Sequence, residues 1–228
     1  MRRFVISVLL FFLLANMGIG SAGKFWDKKD YREWSKSECR RILEDSPWVQ
    51  KNVFKEFAHI GAGVSLYEET QYVVRLYSAL PVRQAMVRLS QISANYADLS
   101  PEQKIAFDKS AGETLSSSTY SDKIIFSIKY SNESLGNFWL TYRHTKDVFI
   151  YGNKGKRVQL IDYSCDTANR EFRFVFPRKR EGHPIITPEN KMLTLQFPIE
   201  HLMEFSLIEN QKIQFKANAM LFHGVLEY

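Results

Sequence analysis

The sequence predicts an α+β protein that is mainly β: an antiparallel β-sandwich or incomplete barrel with an N-terminal capped helix and a two-helix insertion. Three observations predict it. From Tyr120 onward, apolar and polar residues alternate in one short run after another, the period of strands with one buried and one wet face. Over about residues 79–118 the apolar period becomes helical. Ahead of both, SKSE carries the residues of a helix N-terminus.

The first 22 residues read as a secretory signal peptide. Arg2 and Arg3 precede an apolar run over residues 4–15, and Gly20 and Ala22 are spaced as at a signal-peptidase site. The run is shorter than the roughly 20 residues needed to cross a bilayer. Cleavage after Ala22 and export to the periplasm or the extracellular space are therefore expected. Residues 23–228 are then one mostly-β domain, long enough to bury a core without staples. The whole chain has a net charge of +6, and loss of Arg2 and Arg3 reduces it to +4. That excess is too small and too scattered for a nucleic-acid binder.

The mature chain opens with a short helix. Ser35 is placed as N-cap with Glu38 at the third helical position, while Trp34 and Cys39 hold the positions of a hydrophobic staple. Cys39, Ile42 and Leu43 form its apolar stripe, and Ser46-Pro47 ends it. A strand follows from Trp48 to about Ala58, then the turn HIGAGVS, then the strand ETQYVVRLYS with Tyr72, Val74 and Leu76 on one face.

In the insertion, Pro81 opens a helix with Val82, Ala85, Met86, Leu89 and Ile92 at helical spacing. Ser100, Pro101 and Gln103 open a second, for which Phe107, Ala111 and Leu115 predict a buried stripe. The later strands carry Ile124 to Tyr130, then Phe138 to Tyr142, then VFIY and RVQLI about the turn GNKGK. Phe172 to Phe176, Leu193 to Phe197 and Ile213 to Ala217 complete them.

The patterns WSxxE with LxDSPW (residues 34–48), ALPVRQA (79–85), FxFPR (174–178), TPEnK (187–191) and MxxxGxLEY (220–228) resemble those of a group of exported bacterial proteins with no established activity. The resemblance implies export and a shared fold, and it carries over no site residue.

Chemical motifs are sparse. Cys39 falls in the apolar stripe, which assigns it to packing or to a disulfide. Cys165 stands beside Asp166, with His144, His183, His201 and His223 elsewhere in the chain. A Cys39–Cys165 disulfide would close a long loop worth about 4–5 kcal/mol, and the sequence leaves open whether the two meet. There is no GxSxG elbow, the GAG at 61–63 lacks a third glycine, and no HExxH or DxDxDG occurs. No cofactor or metal is expected.

The basic stretches GNKGKR and FPRKREGH could place Lys154, Lys156, Arg157, Arg178, Lys179 and Arg180 on one anion-binding rim, suited to weak contact with an anionic surface. The reading that weighs more from sequence alone is a solubilising turn and a charged edge that blocks strand pairing. Nucleic acid is not expected, because Phe172, Phe174 and Phe176 alternate as core residues do. Two function classes remain: a non-catalytic envelope module binding a protein or an envelope polymer, and an envelope hydrolase whose site is assembled from distant loops.

Overall fold

In the computed structural model, which describes residues 24–60, 64–131, 145–152, 156–200 and 208–228, the SKSE segment forms the expected cap. Ser35 Oγ accepts from Glu38 N at 3.2 Å, and the Glu38 carboxylate accepts from Ser35 N at 2.8 Å. Helix α1 (Lys36–Glu44) follows. Trp34 and Cys39 are fully buried, as a staple requires, together with Ile42.

Strands β1 (Val49–Ile60) and β2 (Val64–Leu76) form a long antiparallel hairpin. Helices α2 (Leu80–Ser93), α3 (Pro101–Leu115) and the one-turn α4 (Ser117–Tyr120) lead to β3 (Lys123–Tyr130). The remaining strands are β4 (Phe149–Gly152), β5 (Val158–Gln159), β6 (Asp162–Asp166), β7 (Glu171–Pro177), β8 (Lys179–Arg180) and β9 (His183–Pro184). They continue with β10 (Met192–Glu200), β11 (Ile208–Lys216), β12 (Leu221–Phe222) and β13 (Val225–Leu226). The reading of a strand over Phe138–Tyr142 and the GAG turn lie outside the described residues.

Among the described residues β8-β9 and β12-β13 form two-stranded ribbons, and the two larger antiparallel sheets have five strands in the order β1-β2-β3-β7-β6 and four in the order β11-β10-β4-β5. Their inner faces meet through aromatic rings: Tyr72 and Phe174 each contact Phe197, at 6.1 and 5.7 Å between centroids, and Phe126 contacts Phe215 at 5.6 Å. The alternation in the sequence is what sends these rings to one side. Phe172, Phe174 and Phe176 are fully buried while Arg173 points to the opposite face.

The sandwich closes on one flank, where the chain passes from β5 to β6 and so from one sheet to the other. There Leu160 N donates to Val148 O and Ile161 N to Val175 O. On the other flank the edge strands β1 and β11 are not paired with each other among the described residues, so the sheets do not close into a barrel.

Helices α1 and α2 pack against each other, and α1 also packs against β1. Arg75 Nε donates to Leu43 O at 2.7 Å, and Arg88 Nε of α2 donates to Trp34 O at 3.0 Å. Arg83, 4% exposed, donates to the carbonyls of Ser78 and Thr114 and lies 4.1 Å over the Tyr120 ring. Helix α2 is therefore buried on more than its apolar stripe, since Arg83, Val87 and Gln91 recur at four-residue spacing on a second buried line.

Helix α3 departs from expectation. Its cap is present, but none of its residues is buried, and Phe107, Ala111 and Leu115 are only partly covered. The helix packs beside α2 instead of onto the sheet, held by a Tyr96–Phe107 edge contact at 5.3 Å and by Tyr96 Oη donating to Asp108. Three apolar residues in two turns are enough for such a lateral contact and do not by themselves specify a core position.

The segments with the most distinctive sequence converge on residues 227–228. Trp48 Nε1 donates to Glu227 O at 2.9 Å. The Glu227 carboxylate accepts from Leu80 N at 3.1 Å, capping α2, whose N-cap residue Ala79 has no side-chain oxygen to do so. Arg178 donates to the Tyr228 main-chain oxygen and lies 4.1 Å over the Tyr228 ring. DSPW, ALPVRQA, FxFPR and GxLEY are thus parts of one architectural joint.

Candidate functional site

The stretch PRKREGH folds back on itself because Glu181 and Gly182 both take positive φ, 52° and 81°. Two consecutive residues of this kind make the tight loop whose twist matches a two-stranded hairpin. The result is the β8–β9 ribbon, with Lys179 opposite Pro184 and Arg180 opposite His183. Successive side chains on a strand point to opposite sides, so Arg180 and His183 share one face and Lys179 takes the other.

That face meets the ends of β4 and β5 across a shallow cleft of about 270 Å³, lined by Gly152, Lys156, Val158, Arg180, Glu181, His183, Pro184 and Ile185. Beside it the Arg157 guanidinium lies 4.3 Å over the Phe149 ring. Arg180 Nη1 donates to Arg157 O at 3.4 Å, which links the two loops, and Arg180 Nε is 3.5 Å from Glu181 Oε1. The contact with Glu181, a side chain 77% exposed, is screened by water and leaves the cleft cationic.

The six basic residues named from sequence therefore have different places. Lys156 and Arg180 line one cleft, joined by His183. Arg157 flanks it, and Lys179 is exposed on the far side of the ribbon. Arg178 does not reach it: its guanidinium is spent on Tyr120 O, at 2.9 Å, and on Tyr228. Lys154 lies outside the described residues. His183 could have been added from sequence, because a two-residue Glu-Gly loop puts it opposite Arg180.

The cysteines form no disulfide. Burial pushes the Cys39 thiol up to about 11. It also raises Cys165, with a smaller opposing effect from the Tyr130 hydroxyl, whose own acidity is lowered by burial so that it titrates at about 12. A thiol held protonated is a poor nucleophile. In the folded protein at neutral pH, a thiol reagent is expected to leave Cys39 unmodified and to label Cys165 slowly. Rapid stoichiometric labelling of Cys165 would contradict this.

His223 takes positive φ in the β12–β13 turn, and its main-chain N–H donates to Asp27 at 2.8 Å. His144 and His201 lie outside the described residues. Among the described residues no three His, Cys, Asp or Glu side chains gather as metal ligands, and no helix is long and apolar enough to cross a membrane.

The fold and the cleft together define an α+β sandwich with a small cationic recess at one corner. No family model matches the chain, and neither the curated proteins nor the solved structures contain a match.

Proposed function

We propose that the chain is an exported, non-catalytic module of the cell envelope that holds an anionic polymer against the recess formed by Lys156, Arg180 and His183. The observation that carries this reading is the meeting of two separate basic loops at one cleft, tied by the Arg180 to Arg157 hydrogen bond. Cations from one loop alone would serve for solubility, whereas cations from two loops converging on a concave surface concentrate potential where a polyanion can enter. Export rests on the N-terminal signal pattern. The hydrolase reading gains nothing from the thiols, which burial keeps protonated.

Polygalacturonate binding, followed by titration at low and at moderate salt, tests the proposal. Lys156→Glu with Arg180→Glu is expected to weaken binding on the order of tenfold or more at low salt, with the difference shrinking as salt screens the charges. Unchanged binding by the folded double variant would overturn it.

A further inference from the structure

The open flank of the sandwich holds a larger cleft, about 540 Å³, lined by Pro47, Gln50, Asn52 and Ala219 and by Met192, Lys212, Ile213, Gln214 and Lys216. One wall is β1, the edge of the five-stranded sheet, and the other is β11, the edge of the four-stranded sheet. Each of these strands has a neighbour on one side only among the described residues, β2 beside β1 and β10 beside β11. Ile213 is 3% exposed yet lines the cleft, so the recess extends past the exposed side chains of Lys212 and Gln214 to a residue of the buried face.

We infer that this cleft receives an extended peptide segment of another protein, bearing acidic side chains at alternate positions, which pairs along the edge of β11 that has no strand beside it among the described residues. Strand addition supplies main-chain hydrogen bonds for which an edge strand is already shaped, and alternate side chains supply selectivity. On β11 the alternate exposed residues are Lys212, Gln214 and Lys216, which span about 13 Å of strand. Among the described residues no carboxylate lines the cleft. Lysines on an edge normally discourage pairing, because a neutral or basic strand would bury or repel them. An acidic strand reverses that sign, since opposite charges directly across a pair are favourable and like charges are not. The edge is therefore closed to most strands and open to one kind. Gln50 and Asn52 on the opposite wall offer amide donors and acceptors to the outer flank of the incoming segment.

The test uses a fluorescein-labelled nonapeptide of alternating glutamate and threonine. Its anisotropy is titrated with the full mature chain, beside a lysine-for-glutamate version and a version N-methylated at alternate main-chain nitrogens along either edge. Saturable binding of the acidic peptide is expected, with no binding of the lysine version and loss of binding when the pairing edge is methylated. Lys212→Glu with Lys216→Glu should weaken it on the order of tenfold, and Lys212→Gln with Lys216→Gln serves if the reversed pair shifts the thermal midpoint. Arg180→Glu, at the other recess, should leave it unchanged, so this inference and the proposed polymer site fail separately. Absence of saturable binding overturns the inference. So does equal binding of both N-methylated peptides, or displacement by oligogalacturonate of equal charge together with insensitivity to methylation, which would make the cleft a saccharide site.

Discussion

Replacing Trp48 by Ala is expected to lower the free energy of unfolding by about 3–5 kcal/mol, with Trp34→Ala in the same range. Both indoles are fully buried. Trp48 contacts Trp26 edge to face at 5.6 Å and donates to Glu227 O, so its loss removes ring packing and leaves a carbonyl without its donor. Trp34 packs against Phe25 and Tyr31 at 5.8 and 6.4 Å, and its own carbonyl anchors Arg88 of α2. Each substitution therefore loosens a seam between α1 and its neighbours as well as opening a cavity. Urea unfolding followed by far-UV circular dichroism checks both. Wild-type midpoints in both variants would mean that the segment is a loose arm and that its aromatics serve a partner.

Helix α1 was legible because everything that specifies it is local: a cap, a reciprocal carboxylate, a staple and a proline stop within fifteen residues. The strand alternation was legible for the same reason, since Phe172 to Phe176 carry their own in-and-out pattern. What the sequence did not carry was position relative to other elements. The apolar residues of α3 have helical spacing whether the helix sits on the sheet or beside α2, and the second arrangement is the one formed. The run PRKREGH looks like one block of charge. Strand alternation and a tight turn distribute it among a joint, an exposed edge and a recess. The cleft between β1 and β11 was invisible for a further reason. Which strands are edges depends on non-local pairing that no single run displays.

Arg178 is expected to behave as a structural residue despite standing inside a basic stretch. Replacing it with Met removes two charge-assisted hydrogen bonds to main-chain oxygens, of Tyr120 and Tyr228, and its stack on the Tyr228 ring. The expected loss is about 2–3 kcal/mol. The effect should extend to the neighbouring contacts of Glu227, because Trp48 and the N-terminus of α2 are fastened to the same two residues. A variant as stable as the wild type would show that residues 227–228 are not held by this side chain.

A division of labour separates two arginines, Arg178 and Arg180, two positions apart in sequence but in different surroundings. The measurement that tests it most directly is a paired one, the urea midpoint and the polygalacturonate affinity of Arg178→Met and Arg180→Glu under the same conditions. Arg178→Met should lower the midpoint and leave the affinity of the folded protein unchanged, while Arg180→Glu should weaken binding and leave the midpoint unchanged. Equal loss of affinity in both, or a fall in midpoint for Arg180→Glu with binding intact, would contradict it.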